Sequence, residues 1–230
     1  MVLGKTSIVL LPGVDGTGQL FARFIVAAPR PFAVTSIALP PELSSYNELA
    51  DHVARNLPVG ESVVVIAESF SGPLALALTV RRPIAALVLC NSFVGAPRWR
   101  QLRWLIWPVL FQFRLPRFLV RRYMVGEAAD DALVDQVVQV VASVPASVLA
   151  ARLRCVLNTD EAGSFARCTV PTLYVRGTED RLVPESAPRR MAAVRAMSIA
   201  HVRGPHFLLQ ANPEGAWKAI TPFLDSLPAV

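Results

Sequence analysis

Six short apolar runs, at residues 7–11, 33–38, 63–67, 85–90, 172–176 and 198–202, are separated for the most part by stretches with helical spacing. Apolar runs without polar alternation mark strands buried on both faces, which calls for a parallel sheet covered by helices on either side. Helical patterns over 46–57, 69–81, 185–194 and 213–227 supply those covers. The alternation predicts an α/β chain with a mostly parallel, six-stranded, doubly wound sheet and right-handed crossovers. At 230 residues, 53% of them hydrophobic, the chain is long enough for one well-buried domain with a small inserted lid.

One interval breaks this rhythm. Residues 93–166 contain no convincing strand, only helical patterns such as 130–144, which places Leu133, Val137, Val140, Val141 and Val144 on one face. A stretch of that length is too long for a structureless loop in a compact domain. It is read as a helical cap inserted after the fourth strand, dividing the chain into a core of 1–92 and 167–230 and a cap of 93–166.

Composition narrows the function. No amino-terminal stretch has the pattern of a signal peptide. The longest apolar region, 104–120, is interrupted by Pro108, Arg114, Pro116 and Arg117, which argues against a membrane span. Cys90, Cys155 and Cys168 are odd in number and lack metal-ligand spacing, favouring reduced thiols in a cytoplasm, with Cys90 a small core residue. No zinc, calcium or phosphate-loop pattern is present, so neither metal nor cofactor is expected. The net charge of +6 is concentrated between Arg98 and Arg122, where seven arginines and three of the four tryptophans meet no acidic residue. Such a segment suits nucleic acid, a membrane surface or an acidic protein, or is simply a lid whose arginines face water. No nucleic-acid partner is expected.

The chemistry-bearing residues lie where strands end. After residues 62–66 comes Ala67-Glu68-Ser69-Phe70-Ser71-Gly72, and then an alanine- and leucine-rich stretch. A strand turning abruptly into a helix with serine at the apex presents a nucleophile, and the turn needs small residues two before and two after it. Ala67 and Ser71 fill those positions, where glycine is commoner. Ser71 is the local competitor, but Pro73 would then occupy a position that wants a small, flexible residue, so Ser69 is the candidate. A serine hydroxyl needs a base within reach. Of three histidines, His52 falls within a surface helix pattern and His201 within the last strand, where a buried role is expected. His206, in the loop Gly204-Pro205-His206, is free to reach the elbow. Asp180 is the candidate acid to orient it, with Glu179 as neighbour and competitor. The loop Pro12-Gly13-Val14-Asp15-Gly16-Thr17-Gly18 after the first strand is glycine-rich, yet lacks both the phosphate-loop lysine and the dinucleotide spacing.

Serine, then aspartate, then histidine is the chain order of the α/β-hydrolases. The sequence resembles that superfamily over nearly its whole length, at four separate loops. The resemblance implies the α/β-hydrolase fold with strand order second, first, third, fourth, fifth, sixth, so that the first loop and the elbow open into one crevice. It implies a Ser69–His206–Asp180 triad, with Gly177, Asp180 and Leu182-Val183-Pro184 matching the family's acid loop. It also implies an oxyanion hole formed by the amides of Phe70 and Val14. Pro12 stands where many relatives have histidine, which leaves the Val14 amide free.

In placement and size the cap resembles that of pimeloyl-carrier-protein methyl ester esterases of biotin synthesis. That resemblance implies an acidic acyl carrier protein as partner. An apolar wall over residues 102–113, including Leu102, Leu105, Trp107 and Phe111, would face the acyl chain, or else pack on the core. Arg114, Arg117 and Arg121, spaced three and four apart, are expected to form one stripe along a helix. The first loop also resembles plastid acyltransferases that esterify phytol or diacylglycerol. The expected function is a serine carboxylic ester hydrolase working through an acyl-enzyme on a small ester, such as an acyl-carrier methyl ester. A short-chain carboxylesterase, a lipase or an acyltransferase on the same triad is the alternative. The non-enzymatic alternative is a hydrolase-fold protein that binds a ligand or partner.

Overall fold

The computed structural model describes residues 6–95 and 106–228. Six strands, β1 (Thr6–Leu11), β2 (Ala33–Ser36), β3 (Ser62–Glu68), β4 (Ala86–Cys90), β5 (Thr172–Gly177) and β6 (Ser198–Val202), form one sheet. The order is β2-β1-β3-β4-β5-β6, with every neighbouring pair parallel. The four inner strands are almost fully buried, as their continuous apolar sequences require, while β2 and β6 are edges and more exposed. His201 lies on the edge strand β6 and is exposed, which corrects the expectation that it is buried.

Helices cover both faces. Between β1 and β4 they are α1 (Ala22–Val26), α2 (Tyr46–Asn56) and α3 (Ser71–Thr79). Between β4 and β5 lie α4 (Arg117–Leu119), a π-helical turn (Val120–Val125), α5 (Asp131–Ser143), α6 (Ala146–Asn158) and α7 (Ala162–Arg167). After β5 come α8 (Ser186–Val194), α9 (Leu208–Ala211) and α10 (Pro213–Asp225). One core layer joins Val9, Val65, Ala67 and Leu89 of the sheet to Leu49, Val53, Leu74, Phe165 and Met191. The other joins Ile8, Ile66, Val88 and Val175 to Phe24, Leu208, Trp217 and Ile220. Alternate residues of each inner strand serve opposite layers, as the strand's period of two dictates. The caps are readable locally: Ser45 accepts the Glu48 amide at the start of α2, Asp130 that of Leu133 before α5, and Asn212 that of Gly215 before α10.

The excursion after β4 leaves and returns at one place. Gly95 pairs with Asp160, and the Glu161 amide donates to the Val94 carbonyl at 2.7 Å. Helix α5 buries Leu133, Val134, Val137 and Val140 together with Val120, Val125, Leu20 and Phe207, so its apolar stripe joins the excursion to the loop beyond β6. Helix α7 packs with the sheet layer through Phe165. The expected three-arginine stripe does not form. Pro116 sets the start of α4, leaving Arg114 in the preceding loop, because a proline ring fixes φ and disfavours helix in the residue before it. Arg117 pairs with Asp131 and Asp135, and Arg121 with Asp131 at 2.7 Å.

The α10 layer is anchored by Trp217, whose ring stacks on Phe24 with centroids 4.4 Å apart and whose indole N–H donates to the Phe24 carbonyl at 2.9 Å. Trp217→Ala is expected to lower unfolding free energy by about 3–5 kcal/mol, as for other large buried aromatics, measured by urea denaturation; a change within error would show that α10 contributes little to the core.

Candidate active site

At the carboxyl end of β3 the chain reverses into α3 within two residues, and Ser69 occupies the apex with φ 49°. Few residues other than glycine adopt this left-handed backbone. Three bonds hold it there: the Ser69 amide donates to the Cys90 carbonyl at 2.9 Å, and the Ser69 carbonyl accepts from Ser92 Oγ at 2.6 Å and from the Gly72 amide at 3.3 Å. Gly72 is required by closeness, since a Cβ there would sit 1.9 Å from Ser92 Oγ. Ser71, the competing serine, is fully buried and donates its hydroxyl to the Pro12 carbonyl, tying the elbow to the first loop. Ser69 is only partly buried, so its hydroxyl remains reachable.

The two loops from the far end of the chain converge on it. His206 Nε2 lies 2.8 Å from Ser69 Oγ, and its Nδ1 lies 3.1 Å from Asp180 Oδ1. Glu179, the alternative acid, instead pairs at the surface with Arg203. His52, on α2, lines a groove together with Asp15, Gly16 and Thr17 of the first loop. Asp180 Oδ1 also accepts the amides of Leu182 and Val183, at 2.8 and 3.1 Å, while Oδ2 accepts from Arg176 at 3.0 Å. Burial acts to raise the Asp180 pKa, but the histidine's charge and hydrogen bond and the two backbone amides outweigh it, so the carboxyl is held below its ordinary range. An ionised Asp180 makes Nδ1 the protonated nitrogen and leaves Nε2 to accept from the serine.

Two residues that sequence reasoning missed hold these loops together. Asn91, just past β4 with φ 44°, donates from Nδ2 to the carbonyls of Pro205 and His206 at 3.0 and 2.8 Å, and its Oδ1 accepts the Gly177 amide at 2.7 Å. Arg176, buried in β5, reaches both the side chain and the carbonyl of Asp180. Arg176 was detectable as a charge inside an apolar strand run. Asn91 was signalled only as a polar residue directly after one.

Of the two residues expected to supply an oxyanion hole, Phe70 directly follows Ser69, and Val14 sits on the loop that Ser71 binds. Among the described residues neither the Val14 nor the Phe70 amide donates to another protein atom. No group of three or more His, Cys, Asp or Glu side chains among them is placed to hold a metal ion.

Residues 8–219 match the model of the alpha/beta hydrolase family. The chain belongs to that family. No curated protein sequence matches it. Among solved structures, this α/β-hydrolase is similar to a thermophilic esterase from Thermogutta terrifontis, with 19% identity over 96% of this chain and 89% of that one and a TM-score of 0.80. A hydrolase from Pseudomonas aeruginosa PA01 gives 19% identity, coverage of 96% and 91%, and a TM-score of 0.77. An enol-lactonase from Burkholderia xenovorans LB400 gives 16%, coverage of 96% and 92%, and 0.75. At such identities these likenesses establish the fold.

Of the residues expected in the α/β-hydrolase's cap, Trp107 is 62% exposed and Phe113 is 78% exposed. Phe111 packs partly buried against Val144, Val148 and Leu149. Leu102 and Leu105 lie outside the described residues. No single described helix is long and apolar enough to cross a membrane; α5 and α6 reach that length only together, across a 98° bend.

Beneath the elbow lies a second buried carboxyl. Glu68, 2% exposed, accepts from Gln210 Nε2 at 3.0 Å, while the remaining oxygens of both side chains have no partner among the described residues. Burial, with smaller contributions from the charges of Asp15 and Asp180, overrides that hydrogen bond and raises its pKa to about 8. The folded chain therefore keeps a proton at Glu68 that the unfolded chain releases near pH 4.5. Stability from this group is highest below pH 4.5 and falls as pH rises towards about 8, with a slope of at most about 1.4 kcal/mol per pH unit. Glu68→Gln removes that slope, so its stability relative to wild type, from denaturant midpoints, should grow between pH 5 and pH 8; a constant difference would mean that Glu68 is already ionised in the folded state.

Proposed function

We propose that this α/β-hydrolase is a serine carboxylic ester hydrolase. Ser69 Oγ attacks the ester carbonyl while His206 Nε2 takes its proton, and the protonated imidazole then delivers that proton to the leaving alcohol. A water deprotonated by the same nitrogen releases the acid from the acyl-enzyme and restores Ser69. Asp180 holds the imidazole in the tautomer this requires. The oxygen that becomes negative during attack is received by the amides of Val14 and Phe70. The observation that carries the reading is the unbroken Asp180–His206–Ser69 relay at 3.1 and 2.8 Å, ending on a serine held at φ 49°. The esterase and the enol-lactonase among the similar structures are named for chemistry at an acyl carbon, which supports the same reaction class. The three free thiols, Cys90, Cys155 and Cys168, fit a cytoplasmic location.

At the substrate level the proposal extends to an ester, such as a methyl ester, borne on an acidic acyl carrier protein, with residues 93–166 as the cap that receives it. Support comes from the exposed Arg114 and Arg122 and the exposed aromatic rings of Trp107, Phe113 and Phe118 in one segment. Arg117 and Arg121 contribute less, because they are committed to Asp131.

Ser69→Ala should abolish p-nitrophenol release from short-chain esters, with a loss in kcat on the order of a millionfold if the triad acts as a unit. Retained Ser69-independent turnover would remove the assignment. Arg114→Gln with Arg122→Gln should slow turnover of a carrier-borne ester about tenfold through weaker encounter and leave a small soluble ester unaffected. Equal losses on both substrates would exclude the carrier.

A further inference from the structure

The loop that bears Val14 is gripped from the helical excursion by one buried cation. Arg152, on α6, is 1% exposed. Its Nη1 donates to the carbonyls of Val14 and Asp15, at 3.1 and 2.9 Å, and its Nη2 to those of Leu39 and Pro40, at 2.9 and 3.0 Å. A buried charge is normally offset by an acid. Here Asp15 acts on the guanidinium by its charge, while its Oδ2 accepts from the amide and hydroxyl of Thr17, at 2.9 and 2.8 Å. The hydrogen bonds to the two Nη atoms go to four backbone carbonyls.

The surroundings are shaped for this guanidinium. Gly16 has φ +72°, and a Cβ on it would lie 2.1 Å from Arg152 Nη1. The Leu39 amide donates to the Gly16 carbonyl at 2.7 Å, so the two segments that share the arginine are also bonded to each other. A planar fork with donors on both arms can serve two pairs of carbonyls on separate segments, whereas the compact ammonium of lysine cannot. Holding the carbonyls of Val14 and Asp15 fixes the two peptide planes that follow Val14. The Val14 N–H belongs to the preceding peptide, whose Gly13 carbonyl accepts the Gly16 amide at 3.1 Å, so that plane is tied to the segment Arg152 holds, and the Val14 amide is aimed by both.

We infer that Arg152 is a positioning residue that aims the Val14 amide at the developing oxyanion and couples the oxyanion loop to helix α6. This rests on the reading of Val14 as an oxyanion donor given above. Preorganised donors are effective because they need no reorientation during reaction, so a loop released from Arg152 loses transition-state stabilisation while substrate binding persists.

The test compares wild type, Ser69→Ala, Arg152→Ala and Arg152→Lys on a small p-nitrophenyl ester, with phenylboronic acid as a tetrahedral analogue that bonds to the serine. Arg152→Ala should lower kcat on the order of 10- to 100-fold, with KM little changed. Inhibition by phenylboronic acid should weaken by the same factor as kcat/KM. Millimolar guanidinium should restore part of the lost rate in Arg152→Ala, and Arg152→Lys should stay impaired although it keeps the charge. The acid limb of the pH–rate profile should not move, because the Ser69–His206–Asp180 relay is untouched. A folded Arg152→Ala with wild-type kcat/KM and boronate affinity would overturn the proposal, as would a rate loss with unchanged boronate affinity and no rescue. If Arg152→Ala does not fold, Arg152→Lys below its unfolding transition decides by the same boronate comparison. Absence of Ser69-dependent turnover in wild type would instead overturn the esterase reading. Hydrogen exchange of residues 13–17 then judges the grip alone: faster exchange in Arg152→Lys supports it, and unchanged exchange overturns it.

Discussion

Ser69 stands between a buried strand and a buried helix with its backbone in a region that costs a side-chain-bearing residue about 1–3 kcal/mol. That conformation persists because neighbours over-determine it: the Cys90 carbonyl takes its amide, Ser92 caps its carbonyl, and Ser71 fastens the next turn to the first loop. Almost everything chemical in the molecule follows from this constraint. The tight reversal lifts Oγ clear of the sheet and leaves the Phe70 amide without an acceptor among the described residues. It also sets a fixed point that the histidine and aspartate loops must reach.

Those loops reach it through backbone ties rather than packing alone. Asn91, itself left-handed, bonds the acid side through Gly177 and the histidine side through the carbonyls of Pro205 and His206. Phe207, next to the histidine, donates its amide to Met124 of the π-helical turn at 2.8 Å and packs into the α5 cluster. Arg152 does for the first loop what Asn91 does for the other two. The excursion after β4 therefore touches both sides of the relay, through Met124 and through α6. Its position and the geometry of the site are linked by hydrogen bonds that can be named.

Much of this was legible in the amino-acid sequence, for physical reasons. Buried parallel strands must be continuous apolar runs, so all six appeared, and edges such as β2 and β6 differed mainly in exposure. The elbow, the acid loop and the histidine loop were readable because each is a local pattern of small or turn-forming residues around one reactive group. What stayed hidden was non-local. No spacing reveals that Asn91 bonds residues 86 to 115 positions away, or that Arg152 meets carbonyls more than a hundred residues upstream. The arginine stripe misled for a different reason: helical spacing at Arg114, Arg117 and Arg121 ignored Pro116, where the helix begins, between the first and second of them. His201 misled because an apolar strand at the edge of a sheet still leaves side chains in water.

If His206 activates the Ser69 hydroxyl, the intact protein reacts with a fluorophosphonate at that residue, and mass spectrometry maps the adduct. One stoichiometric phosphonyl group is expected on the peptide containing Ser69, with formation slowed drastically by His206→Ala. An unmodified Ser69, or labelling that does not depend on His206, would contradict that activation.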